Sequence, residues 1–187
     1  MIFTLFDSIQ YGDNQIADIL KNLNHYFNLI KGDFQFRDYN LEGTPRPETL
    51  ANNLYGDPNL YWVFFLINGI TDPFNEWIQS MNEVQTRTDY RYQWVGGGDV
   101  IDHYVDERGR EWFDIIEYPP GSRNWHSTDE FGNPDRFVYF GAMVPVTVSE
   151  HEHELNERFR KIKVVPPEDI RRFVSSLQAV ISEYTTS

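Results

Sequence analysis

The chain has 187 residues, of which 40% are hydrophobic and 24% charged, a balance that admits a packed core and excludes wholesale disorder. Its 29 acids against 16 bases give a net charge of −13, which repels phosphate backbones and anionic lipid and argues against nucleic-acid or general membrane binding. With no cysteine, disulfides, thiolate metal sites and a cysteine nucleophile are excluded.

The opening Met1-Ile2-Phe3-Thr4-Leu5-Phe6-Asp7 reads as a short extended apolar piece running to Ser8. It has no basic stretch and no small-residue cleavage site, so no signal peptide is expected. Apolar residues at Ile16, Ile19, Leu20, Leu23, Tyr26 and Phe27 recur at helical spacing, and that helix is predicted to end near Lys31-Gly32. Phe34, Phe36 and Tyr39 then predict a strand entering Glu42-Gly43.

Thr44-Pro45-Arg46-Pro47-Glu48 carries helix-start chemistry, and Pro47 disfavours helical geometry at Arg46, so the helix is predicted to begin at Pro47. Leu50, Ala51, Leu54 and Tyr55 form one face, and Gly56 stops it. Asp57-Pro58 repeats the start signal. Leu60 to Ile67 is apolar all round and ends at Asn68-Gly69, too short to span a bilayer. Periodicity alone allows a buried strand there, but the flanking caps favour a helix that must be covered on nearly every side. Ile70 is predicted to start an extended segment ending at Asp72-Pro73-Phe74-Asn75-Glu76-Trp77.

From Met81 onward the pattern reads as strand and turn. Val100 to Val105 and Arg110 to Tyr118 flank the turn Asp106-Glu107-Arg108-Gly109, and Pro119-Pro120-Gly121 breaks the hairpin off. A second turn, Asp129 to Asp135, precedes the apolar run Phe137 to Val148. Ser149 and Glu152 have capping-box spacing for a short helix through about Arg158. Ile162, Val164 and Val165 predict a strand. Pro166-Pro167-Glu168-Asp169 opens a last helix whose Ile170, Phe173, Val174, Leu177 and Ile181 share a face.

Few residues carry chemistry. In His151-Glu152-His153-Glu154 the two histidines point about 200° apart on a helix and share a face only on a strand, so a solvated charged face is expected and no metal. Gly96-Gly97-Gly98 lacks the spacing of a phosphate loop and reads as a turn. Asp102, Asp106, Glu107, Asp114 and Glu117 surround the first hairpin, where carboxylate pairs could cleave a glycoside. Among 29 acids such proximity arises by chance, and the serines have no nucleophile-elbow context. No catalytic residue, cofactor or enzymatic activity is expected.

The order strand, helix, tight turn, helix, strand over Gly43 to Ile70 resembles a LysM module. The residues that carry this likeness are Pro47, Leu50, Ala51, Leu54, Tyr55-Gly56-Asp57-Pro58, Tyr61-Trp62 and Asn68, with Asp72, Pro73 and Trp77 following. Together with Gly43-Thr44-Pro45-Arg46-Pro47-Glu48 and Asp72 to Trp77, they resemble the baseplate wedge subunits of T-even-type contractile-tailed phages, the gene-fifty-three product family. Phe3 to Asp7, Gly97-Gly98-Asp99, the Asp106 to Gly109 hairpin, Asn156-Glu157-Arg158 and Arg160 to Lys163 extend the likeness, while Arg123 to Tyr139 does not match.

The resemblance implies an α+β protein: a small LysM-like β-α-α-β core with a β-hairpin insertion and helical or extended terminal arms. Its expected divisions are an N-terminal arm and helix (1–40), the LysM-like core (41–79), a β-rich hairpin region (80–148) and a C-terminal strand and amphipathic helix (149–187). It further implies a structural virion protein of the tail baseplate, assembled in the host cytoplasm, that bridges neighbouring wedge proteins and helps lock wedges around the tail hub. Expected partners are the large dimeric wedge scaffold, the lysozyme-like sheath-initiating wedge subunit and tail hub proteins. Eight apolar positions exceed what one short helix can cover, so Phe64, Phe65 and Trp77, with Phe173 and Leu177 on the last helix, are candidate partner contacts. The alternative is the ordinary LysM role, binding N-acetyl sugars of peptidoglycan in a groove lined by Gly43, Thr44, Pro45, Asn68, Gly69 and Ile70.

Overall fold

A computed structural model describes residues 8–11, 14–17 and 23–185. Helices mix with antiparallel sheets, the expected α+β class. The chain divides into two compact units, the first formed by residues up to Ile78 together with those from Arg158 onward, the second by Gln79–Glu157. The second unit therefore interrupts the sequence of the first, and the later boundary falls nine residues beyond the division expected at 148/149.

In the first unit, β1 (Ser8–Tyr11) and β2 (Asn14–Ala17) pair antiparallel. The helix expected from Ile16 is thus corrected: Ile16 pairs with Ile9, and α1 spans Leu23–Ile30. Glycine and aspartate, which favour turns by residue type, fall between the two strands and favour a hairpin over one long helix. Most of the extended N-terminal piece, and Ile19 and Leu20, lie outside the described residues.

A single 3-10 turn leads from α1 to β3 (Arg37–Asn40). The next helix, α2 (Pro47–Tyr55), starts where the prolines predict: Arg46 is extended, and Gly56 closes the helix at φ 72°. Asp57 then accepts a hydrogen bond from the Asn59 backbone N–H and opens a 3-10 turn, Pro58–Tyr61, which runs into α3 (Trp62–Asn68). Gly69, at φ 68°, ends it.

The second unit opens with α4 (Met81–Tyr92), a helix where strand and turn were expected. The missed signal is a capping box in which Ser80 Oγ accepts from the Glu83 N–H and the Glu83 carboxylate accepts from the Ser80 N–H. Only Val84 and Thr88 of this helix are buried, too sparse a stripe to register as periodicity. Next, β4 (Ile101–Asp106) and β5 (Glu111–Trp112) form a hairpin at the predicted turn, with Gly109 at φ 75°, but the arm expected as Arg110 to Tyr118 is split, because Ile115–Glu117 belongs to a different sheet. A second sheet joins β6 (Ile115–Glu117), β7 (Asn124–Thr128) and β8 (Pro134–Phe140) in that order, and β9 (Met143–Thr147) returns to the other edge of β4.

The helix α5 (Val148–Arg158) follows directly. Its capping residues are Thr147 and Glu150, two positions before the expected Ser149 and Glu152. Ser149 is drawn off to Gln85, and Glu152 is buried.

Back in the first unit, β10 (Lys161–Val164) and α6 (Ile170–Thr185) complete the chain. The second strand expected at Ile70 is not there. Residues 70–77 form turns closed by the Glu76 carboxylate, which accepts from the Thr71 and Asp72 N–H groups at 2.7 and 3.1 Å. The strand that pairs with β3 is β10, antiparallel, with Lys161 opposite Asn40 and Val164 opposite Arg37.

The two clusters of the first unit's core explain the all-apolar α3. Trp62, Val63 and Leu66 pack with Ile30, Phe34, Val165 and the α6 face Ile170, Phe173, Leu177 and Ile181. Phe64 points into the other cluster, with Leu41, Leu50, Ala51, Trp77, Ile78, Ile162 and Val164. The helix is covered from within this chain, by α1, α2, the turn at Trp77, β10 and α6. Each large apolar side chain so buried contributes about 1.5–3 kcal/mol.

Candidate interaction surface

Most of the residues singled out for the helix pair hold the first unit together. Leu50, Ala51, Trp62 and Trp77 are buried, while Leu54, Tyr55 and Tyr61 pack partly exposed against the same clusters. Tyr55 stacks on Phe64 at 5.5 Å and donates its hydroxyl to the Val165 carbonyl at 3.0 Å. Burial pushes that hydroxyl's pKa well up, only partly countered by the carbonyl contact. Trp77 Nε1 donates to the Pro45 carbonyl at 2.8 Å, tying the turn Asp72-Pro73 to Trp77 back to the entry of α2.

Asn68 is engaged on three sides. Its Nδ2 donates to the Phe64 and Lys163 carbonyls at 2.8 and 2.9 Å, and its Oδ1 accepts from the Lys163 N–H at 2.7 Å. The amide thus takes the place of a neighbouring strand along β10. This bears on the sugar groove, because the polar group best suited to read an N-acetyl sugar already has partners. Asn68, Gly69 and Ile70 open on a hollow lined by Glu76, Phe159 and Lys161, with none of Gly43, Thr44 and Pro45. The Gly43 carbonyl instead accepts from Arg160 at 3.0 Å.

The expected partner contacts need correction. Phe64, Phe173 and Leu177 are 0% exposed and Trp77 only 5%, so these four face the chain's own core. Phe65 alone of the five keeps part of its surface. The reason is the C-terminal strand and helix, whose apolar residues fill the space assigned to a neighbour.

Exposed apolar side chains concentrate elsewhere. Among the described residues, every large exposed hydrophobic except Leu29, Phe74 and Tyr184 belongs to the second unit. Trp94 is 89% and Phe131 80% exposed, with Tyr90, Val95, Phe140 and Val144 also well out in solvent. Composition and periodicity do not mark these as a surface: Trp94-Val95 and Phe131 lie beside turn residues, and Phe140 and Val144 fall within the apolar run Phe137 to Val148, which reads as core.

What holds the second unit is largely polar. Glu152, buried on α5, accepts from Arg87 and Arg91 on α4 at 3.3 and 3.0 Å and from the Tyr92 hydroxyl at 3.2 Å. Asn156 pairs with both backbone groups of Gln79 at 2.9 Å. Asp106 closes the hairpin turn, accepting from the Arg108 and Arg110 N–H groups, the Arg110 Nε and the Trp112 Nε1. Burial alone would raise its pKa, but these four donors outweigh that and hold the carboxyl far below its ordinary range.

One histidine-carboxylate cluster also lies here. Asp102 Oδ2 is 2.8 Å from His103 Nδ1 and 2.7 Å from His151 Nδ1. Burial raises the Asp102 pKa, and hydrogen bonds and charge from the two histidines more than offset it, leaving the carboxyl below its usual range. His151 and His153 stand on helix α5 and do not form the strand pair that the sequence left open. His151 instead bonds Asp102 of β4, with the His103 ring as its neighbour.

No helix among the described residues is long and apolar enough to cross a membrane. The family model described as base plate wedge protein 53 matches residues 1–180. The chain is also 32% identical over 193 residues to the baseplate wedge protein gp53 of Enterobacteria phage T4, covering 98% of this chain and 97% of that protein. The match spans Arg123 to Tyr139, the stretch where no likeness was evident in the sequence. The chain belongs to the base plate wedge protein 53 family, and is a structural protein of the phage tail baseplate.

Proposed function

We propose that this chain bridges neighbouring wedge proteins and helps lock the wedges around the tail hub. Its partners in this reading are the large dimeric wedge scaffold, the lysozyme-like sheath-initiating wedge subunit and hub proteins. The observation that carries it is the contrast in apolar exposure: the first unit covers its own core, whereas the second leaves aromatic side chains such as Trp94 and Phe131 in solvent. Aromatics of this kind act as anchors when a partner desolvates them. The role is binding, with no chemical step.

The first unit we read as the LysM-like core, its strand-helix-helix-strand order supplied by β3, α2, α3 and β10, with residues 79–157 inserted before the last strand. The antiparallel pairing of β3 with β10 supports this. The engaged amide of Asn68 favours a scaffolding use of that core over sugar reading.

The test is complementation of a phage lacking the gene with a Trp94→Ser, Phe131→Ser double variant. Expected are a folded protein, incomplete baseplates and accumulated wedge intermediates in sedimentation profiles. Normal tail yield with both substitutions in place would count against the second unit as the bridging surface. A pull-down on purified peptidoglycan separates the sugar reading: saturable, sugar-competed retention would support it.

A further inference from the structure

We propose that Asp102, His103 and His151 form a binding site for one divalent transition-metal ion of the zinc type, joining β4 to the first turn of α5. The donor atoms of the three residues all lie within 4.8 Å of one another.

Several independent features converge on this cluster. Consecutive strand residues normally face opposite sides of a sheet. Here the ladder between β4 and β9 slips between Ile101 and His103: Ile101 opposes Thr147 and His103 opposes Val146, which leaves Asp102 as the extra residue of a bulge. The bulge re-aims its carboxylate to the side of the adjacent imidazole.

The third donor is held equally firmly. The start of α5 is tied to the lead-in of β4, because the Val148 N–H donates to Val100 and the Ser149 N–H donates to Gly98. A Cβ on Gly98 would come within 3.1 Å of Ser149 Oγ, so glycine permits this close approach. His151 is thereby placed over His103, ring centroids 5.1 Å apart and nearly perpendicular.

Both rings aim Nδ1 at the same carboxylate oxygen, which defines one point in space. Zinc bonds of about 2.0–2.2 Å in tetrahedral geometry need donors roughly 3.3 Å apart, so the Asp102 oxygen must draw back from each ring nitrogen by only about 0.6 Å, while the two nitrogens already lie within 4.8 Å of each other. Each neutral imidazole then carries its proton on Nε2, and the ionised Asp102 supplies the charge. The His103 side chain is 2% exposed, while those of Asp102 and His151 are about a quarter exposed, which leaves an approach and a fourth position for water. Two imidazoles and one carboxylate suit a borderline cation, whereas calcium and magnesium prefer all-oxygen sites.

The experiment uses the full chain, stripped with chelator and titrated with Zn2+ by calorimetry, with Co2+ absorption as a geometric probe. Expected are one saturable equivalent, Co2+ ligand-field bands, and a rise in Tm with Zn2+. His151→Ala, a part-exposed position, should weaken binding by more than roughly 100-fold, beyond the loss typical of outer-shell changes. Asp102→Asn should do likewise while keeping a hydrogen-bond acceptor for the rings. His153→Ala, two residues along the same helix, should bind as the parent does. Absence of saturable Zn2+ binding, or binding that survives His151→Ala and Asp102→Asn, overturns the site and leaves a hydrogen-bonded triad; neither outcome touches the wedge role.

Discussion

The two units of this protein are stabilised in opposite ways. Among the described residues, all but three of the buried hydrophobic side chains, Val84, Trp125 and Val148, lie in the first unit. The five buried polar or charged residues among those described (Thr88, His103, Asp106, Glu152 and Asn156) lie in the second. The exposed aromatics show the reverse bias, crowding into the unit with the smaller core. Apolar burial is additive and tolerant of geometry, whereas a buried carboxylate stabilises only with its donors in place. The first unit therefore depends on filled volume, and the second on directed bonds.

The comparison can be broken most forcefully at the apolar end. Phe173→Ala removes a fully buried ring that makes edge contacts with Phe27, Phe34 and Phe36. It should cost about 3–5 kcal/mol, a large share of a domain's stability, read as a drop in denaturant midpoint. A loss under about 1 kcal/mol would mean that α6 is not part of the core.

A smaller effect is expected from Glu152→Ala, which strips Arg87, Arg91 and Tyr92 of their shared acceptor. About 1–3 kcal/mol should be lost. Hydrogen exchange should quicken in α4 and α5 while α2 and α3 keep their protection; uniform deprotection would erase the distinction between the units.

Acid should act on the second unit through Asp106. Its carboxyl is more acidic folded than unfolded, so its stabilisation is complete above the unfolded value of 3.8 and fades as pH falls below it. An Asp106→Asn variant should show a flatter acid limb than the parent in Trp112 fluorescence. Identical limbs would remove Asp106 from the account.

The smallest change in stability belongs to Trp94→Ser and Phe131→Ser, expected within about 0.5 kcal/mol of the parent. Their effect should appear in assembly alone. A large drop in Tm for either would show that these rings have intramolecular duties.

Legibility in the sequence followed the same division. The helix pair was readable because proline, aspartate and glycine act locally: Pro47, Gly56, Asp57 and Gly69 each stand at the boundary they predicted. That Leu60 to Ile67 needs covering on all sides was also readable. What covers it was not, since Tyr55 meets Val165 across 110 residues and no local signal encodes such pairings. The same holds for β10 as the partner of β3. In the second unit the turns at Gly109 and Gly132 were visible, but α4 was missed because its start lies in a reciprocal Ser80–Glu83 bond and its apolar face is thin. The meeting of Asp102, His103 and His151 depends on a strand bulge, which leaves no mark in composition or periodicity.

The interleaving of the units has a bearing on synthesis. The second unit is contiguous and can close as soon as α5 leaves the ribosome. The first cannot: β3 waits for Lys161–Val164, and Trp62 and Val63 wait for the α6 residues that cap them. A nascent chain interrupted near residue 157 would therefore hold a complete second unit and a first unit whose apolar core lacks its last strand and helix. Apolar surface left open in this way favours aggregation, so the first unit's stability is set only once the last strand and helix have been made.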